Sequence, residues 1–184
     1  MSEQLLGSVN GHVEITSKVE HVMRLDCTDV TSWSLYPRFM ERCLRFAQDL
    51  LKFNEMQLKN FEQDLRNRWA TPNGSLFLAV MDGRGNMVGH VCGWINIDYG
   101  QPYLFNFQAE VDEGYEMAPA MDLLAKEHVE YVGWANAMYE KGGQPVRINK
   151  VRTQTMRNAD ALVRYLSMHG MNSVIERTTI GWDI

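Results

Sequence analysis

The feature that most constrains this chain is a pair of apolar runs, residues 76–81 and 87–98, separated by Asp82-Gly83-Arg84-Gly85-Asn86. A short interval of Asp, Gly and Asn between two apolar runs reverses the chain, so the two runs are read as a β-hairpin. In the second run Val91 and Ile95 share one face with Gly89 and Gly93, while Val88, His90, Cys92 and Trp94 line the other. Neither face is polar, which is the pattern of a strand covered on both sides. A third run follows Gly100-Gln101-Pro102. There Tyr103, Phe105, Phe107, Ala109 and Val111 alternate with Leu104, Asn106, Gln108 and Glu110, giving one aromatic face and one that turns polar toward its end.

The cover is helical. Pro37 is suited to a first helical turn, and Phe39, Met40, Cys43, Leu44, Ala47, Leu50 and Leu51 follow it at helical spacing. Leu58, Phe61, Leu65 and Trp69 form a second stripe that the cluster Thr71-Pro72-Asn73-Gly74 ends. After Pro119, the residues Met121, Leu124, Ala125, His128, Tyr131, Val132, Ala135, Met138 and Tyr139 mark a long amphipathic helix that Gly142-Gly143 stops. Near the start, Val13, Ile15 and Val19 alternate with polar residues as a first or edge strand would, behind an extension over residues 1–12.

With 184 residues, 45% of them hydrophobic, the chain fits one domain over residues 1–184. A net charge of −5 argues against nucleic acid as the main partner, with Arg147, Lys150, Arg152 and Arg157 as a local basic exception. Cys27, Cys43 and Cys92 cannot all pair within one chain and lack the spacing of a zinc site, so thiols in a reducing, cytoplasmic setting are expected. No signal-peptide pattern opens the chain, and no apolar run approaches the roughly 20 residues that span a bilayer, so neither secretion by that route nor a membrane partner is expected.

The C-terminal end carries the family signal. A charged strand-like run, residues 147–155, leads into a helix capped by Asn158 that runs through Leu162, Tyr165 and Leu166 to Gly170, and a last strand covers residues 173–183. Together with the preceding elements, this order resembles the GNAT (Gcn5-related) N-acetyltransferase fold. The resemblance implies an α/β (α+β) chain: a single GNAT-like domain whose mixed, mostly antiparallel central sheet is flanked by helices. It also implies that acetyl-CoA would bind where the strand ending near Val111 meets the long helix, with the cofactor's diphosphate on backbone N–H groups of a Gly-rich loop.

Here that loop offers Gly114 alone, surrounded by Glu110, Asp112, Glu113, Glu116 and Asp122. Five carboxylates would repel a diphosphate, and the missing glycines remove the close backbone approach. Arg147, Lys150 and Arg152 are expected as their ion-pair partners. In the family's terms Val111, Gly114 and Asn158 would touch cofactor, Glu110 would relay a proton from the substrate amine, and Tyr165, seven residues after Asn158, would protonate the leaving thiolate. Each has a plainer reading: Asn158 as helix cap, Glu110 as solvated carboxylate, Tyr165 as packed core.

His90 and Cys92 lie two apart on one strand face with no third ligand at readable spacing, and core packing explains them. Trp134 falls off the main stripe of its helix and can anchor an interface or belong to a broad buried face. Met117, Met121, Met138, Met168 and Met171 can line a partner surface or fill the core.

Two function classes follow. The first is a GNAT-fold protein with a degenerate acetyl-CoA loop and no cofactor, kept as a structural or interaction module. It would have a protein partner or a second copy of itself, and phage virion or accessory proteins are the setting the resemblance suggests. The second is an acetyl-CoA-dependent N-acetyltransferase acting on an amine, a cationic one given the acidic loop.

Overall fold

The computed structural model describes residues 18–71, 74–115, 117–144 and 147–153. Five strands form one sheet in sequence order, β1 (Val19–Arg24), β2 (Ser75–Asp82), β3 (Met87–Asp98), β4 (Gln101–Val111) and β5 (Val151–Thr153). The first four are antiparallel neighbours, and β5 returns parallel to β4, pairing Leu104 with Val151 and Asn106 with Thr153. This mixed, mostly antiparallel sheet between helices is the architecture expected from the sequence.

The helices α1 (Val30–Asp49) and α2 (Glu55–Ala70) cover one face, and α3 (Met117–Lys141) covers the other. Strand β2 supplies both cores by simple alternation. Phe77, Ala79 and Met81 join Phe39, Cys43, Leu65 and Trp69 under α1 and α2, and Leu76, Leu78 and Val80 join Leu124, Tyr131 and Ala135 under α3. All of β2 is buried, because both of its faces carry helices.

Bulges on β1, β3 and β4 break the alternation that the sequence pattern assumes, and the last two bear on the site. Val80 pairs with Gly89 and Met81 with Met87, so Val88 is an extra residue on β3 and turns to the α3 side, away from His90, Cys92 and Trp94. On β4, Gln108 pairs with Cys92 and Asn106 with Gly93, leaving Phe107 extra. Before this second bulge the even residues Leu104 and Asn106 face α3, through the Leu104 core contacts and the Asn106 contact with His128. After it, the even residues Gln108 and Glu110 face α1.

Helix α1 begins seven residues before the expected start at Pro37. Asp29 caps it, accepting from the Ser32 N–H at 2.9 Å and the Thr31 N–H at 3.3 Å, and this satisfies orphan donors that a Pro start would have left to water. Pro37 sits inside the helix on its exposed side, where the missing N–H is tolerated. Helix α2 carries a reciprocal capping box between Asn54 and Gln57, at 3.0 and 2.8 Å. After α3 the Gln144 N–H returns to the Tyr139 carbonyl at 3.0 Å, which closes the helix at the Gly pair as expected.

Strand β1 also differs from expectation, beginning at Val19, whereas Val13 and Ile15 lie outside the described residues. The expected run over residues 147–155 contributes three strand residues, and Asn136 of α3 steadies the approach by bracketing the Ile148 backbone at 2.9 and 2.7 Å. The capped helix and final strand from residue 157 onward lie outside the described residues. Trp134 is not a bare anchor: the Arg24 guanidinium stands 4.6 Å from its ring centroid, with Tyr131 at 5.7 Å. Met121 packs against the α3-side core, and Met138 is about half exposed.

Gly89 tests the close packing of the β3–β4 ladder. A Cβ there would come within 2.5 Å of the Glu110 carbonyl and 3.1 Å of the Val111 Cα, both backbone atoms that cannot swing aside. Gly89→Ala is expected to destabilise the fold by about 2–3 kcal/mol in urea unfolding, the upper range of overpacking costs. A loss below about 0.5 kcal/mol would show that the ladder is looser than this geometry.

Candidate functional site

Helix α1 places Arg42 between Phe39, Cys43 and Phe46, on the arc that faces the sheet, and its side chain is 6% exposed. A guanidinium cannot shed its charge, so one buried among apolar neighbours requires carboxylates. It finds them at the end of β4. Nη2 lies 2.6 Å from Asp112 Oδ1 and Nη1 lies 3.1 Å from Asp112 Oδ2, a two-pronged pair, and Nη2 is also 3.4 Å from Glu110 Oε2.

Glu110 is paired across the ladder with His90, so the two side chains emerge side by side on the α1 face. His90 is fully buried, with the rings of Phe39 and Phe46 edge-on at 5.9 and 6.0 Å. The Gln108 amide N–H donates to the Cys43 carbonyl at 3.1 Å, which fixes Gln108 Oε1 as the acceptor toward His90 Nε2 at 3.2 Å. Nε2 therefore carries the proton and Nδ1 is bare, 3.7 Å from Glu110 Oε2 and without a hydrogen-bond partner. Burial is the main force holding the imidazole pKa down to about 4; the Gln108 hydrogen bond works against it, and the Arg42 and Arg45 charges add to it. Burial likewise pushes the Cys43 thiol well up, with Cys92 beside it contributing. Both thiols are free and buried, and Cys27 is free and partly buried.

The loop after β4 is tied on two further sides. The Asp112 N–H donates to the Val88 carbonyl at 2.8 Å, and the Tyr115 hydroxyl donates to Asp82 Oδ2 at 3.2 Å. Asp82 also accepts from the Arg84 and Asn86 N–H groups at 2.9 and 2.8 Å and from the Asn86 side-chain amide at 3.0 Å. These bonds, the Asn86 side chain first, hold its carboxyl down to about 2. Gly114 adopts φ +91, and a Cβ on it would meet no atom within 4 Å. Glu113 is exposed.

Of the residues singled out from the sequence, the structure brings Glu110, Val111 and Gly114 to one end of the sheet, next to the start of α3. Val111 packs into the α3-side core, while Glu110 faces the other way. Tyr165 and Asn158 lie outside the described residues, as do Glu116 and Arg157. For Glu110 and Asp112 the expected ion pairing is corrected. The partner of Glu110 and Asp112 is Arg42, whereas Arg152 pairs with Asp98 at 3.2 Å and covers the Tyr103 ring at 4.3 Å. Arg42 was legible in principle, as an Arg inside the apolar arc of Phe39, Cys43 and Phe46. Among the described residues no group of three His, Cys, Asp or Glu side chains stands together as metal ligands, and no helix is long and apolar enough to cross a membrane.

Element order and sheet topology among the described residues are those of a GNAT-like fold, and solved structures agree. A possible acetyltransferase from Clostridium difficile 630 matches at TM-score 0.56 and 9% identity, over 90% of this chain and 98% of its own. An aminoglycoside acetyltransferase from an uncultured soil metagenomic sample, in complex with sisomicin, matches at TM-score 0.53 and 13% identity, over 89% and 95%. A putative acetyl transferase from Pyrococcus furiosus matches at TM-score 0.50 and 15% identity, over 87% and 100%. At these identities the likeness is one of fold. No family model and no curated protein matches the sequence.

Two outcomes follow. Arg42→Met, which strands two carboxylates at the sheet end, is expected to cost about 3 kcal/mol in urea unfolding, the low end for a broken buried pair because both partners keep contact with water. A neutral effect would mean that the pairing adds nothing net. The pH dependence has a definite sign. His90 binds its proton near pH 4 when folded and near 6.5 when unfolded, so between those values the unfolded chain holds more protons and stability is lost as pH falls. Burial depresses His128 in the same direction. His90→Leu is expected to flatten part of this slope while lowering stability at pH 8 by about 1–3 kcal/mol, because Gln108 Oε1 loses its donor. An unchanged slope would refute the assignment to His90.

Proposed function

We propose that this chain is a GNAT-fold scaffold that acts through its surface and does not transfer acetyl groups. The observation that carries this reading is the Arg42 clamp. It commits Glu110, the residue at the position of the family's proton relay, and Asp112, in the loop where a diphosphate would lie, to one internal cation. A carboxylate paired with a buried guanidinium and turned toward α1 is poorly placed to reach a substrate amine beside the loop. The loop fits a diphosphate no better. The Asp112 N–H is spent on Val88, Glu113 adds an exposed negative charge, and Gly114 is the single glycine. Arg42 offsets the local charge, but from the α1 face of the sheet rather than from the loop backbone.

A scaffold of this kind works by presenting a surface to a protein partner or to a second copy of itself. A phage virion or accessory role is one such setting, and it rests on the family resemblance alone. Calorimetric titration with acetyl-CoA and with free CoA tests the reading. No heat and no rise in melting temperature are expected at millimolar cofactor. Micromolar binding would overturn the proposal in favour of an N-acetyltransferase acting on an amine, and would send attention to Glu110 and Tyr165.

A further inference from the structure

The polar cluster between α1 and the β3–β4 ladder leaves two buried polar atoms without a partner, Arg42 Nε and His90 Nδ1. Its ion-paired charges are Arg42 against Glu110 and Asp112, with Arg45 as a second cation acting on the imidazole, in a setting closed on one side by Phe39 and Phe46. The Nδ1 lone pair of His90 and the Glu110 Oε2 atom are both acceptors, and they face each other at 3.7 Å with no donor between them. The opposite edge of the imidazole cannot rotate to help, because Nε2–H is held by Gln108, and Gln108 is held by the Cys43 carbonyl. One added proton would turn the acceptor–acceptor contact into a charge-assisted hydrogen bond.

We propose that His90 and Glu110 form a single proton-binding site, and that a proton held between Nδ1 and Oε2 draws Glu110 away from Arg42 and leaves Arg42 on Asp112 alone. The proton comes from solvent through Glu110, whose side chain is 25% exposed while His90 is closed off. The charged and titratable groups around the imidazole are Arg42 and Arg45 from α1, with Cys43 on the same helix, Glu110 from β4 and Asp112 just after it, and Cys92 on β3. The two arginines oppose protonation, Asp112 and the Gln108 hydrogen bond favour it, and burial pushes the Cys43 thiol up, away from the acid range. The result is a pH-dependent tie between α1 and the strand end that leads into α3, whether or not the loop ever meets a cofactor.

The test is NMR on the full chain labelled at His nitrogen and at Glu carboxyl carbon. At pH 7 the His90 ring should show a protonated Nε2 and a bare Nδ1. On acidification the His90 nitrogens and the Glu110 carboxyl should inflect together at one midpoint below 6.5, and Glu110→Gln should move the His90 midpoint down by about one pH unit. A protonated Nδ1 at pH 7, separate midpoints for the two groups, or a midpoint in Glu110→Gln equal to or above that of the wild type would overturn the proposal. Unfolding of the wild type before the imidazole titrates would overturn it as well, since the protonated folded state would not exist. If the variant does not fold, the wild-type tautomer and the shared midpoint still decide the question.

Discussion

The constraint on which the rest of this structure depends is the burial of β2 and β3 on both faces. Eight consecutive buried residues in β2 demand a helical layer on each side, and the chain meets that demand with α1 and α2 on one and α3 on the other. Once three layers exist, polar atoms between them must be satisfied from within. The interlayer polar contacts follow from this: Gln108 reaching the Cys43 carbonyl, Asn106 meeting His128 Nε2 at 3.0 Å, and Arg42 meeting the β4 carboxylates.

Those contacts sort by layer. On the α3 side the interlayer hydrogen bonds are neutral, as in the Asn136 bracket on the Ile148 backbone and the His128 contacts with Leu124 and Asn106, and the Arg24 guanidinium is held over the Trp134 ring. The α1 side holds charge, with one guanidinium shared by two carboxylates. A charged, geometrically defined pairing distinguishes arrangements that apolar packing alone would leave close in energy, and here it fixes the end of β4 against α1. It also decides what the neighbouring loop offers to anything outside, since the acids closest to the strand are already engaged.

Much of the fold was legible from sequence because period and punctuation are local. The β2–β3 hairpin, the second helix stripe and the Gly stop after α3 all rest on residues within a few positions of one another. The start of α1 was missed because Pro37 is a conspicuous first-turn residue, while after the Asp29 cap Thr31, Ser32 and Ser34 interrupt the stripe that Val30, Trp33 and Tyr36 begin. The site was half legible. Glu110 and Gly114 were placed correctly along the chain, but strict alternation does not reveal the bulge at Phe107, which turns Glu110 toward α1. Without that turn, Arg147, Lys150 and Arg152 looked like the natural counter-charges, and Arg42, some 70 positions away from Asp112, did not.

The bulge at Phe107 has a further meaning for how such a chain can change over time. In an ordinary strand, a residue's parity along the sequence tells which layer it faces. In β4 that parity switches at Phe107, because one surplus residue shifts everything after it. Loss of the Phe107 codon would leave Asn106 opposite Gly93 and Gln108 opposite Cys92 in a regular ladder, so Glu110 would keep its place toward the arginine. A lineage bearing this fold can thus shed or gain that residue without moving the site, although every later position would change its parity in the sequence.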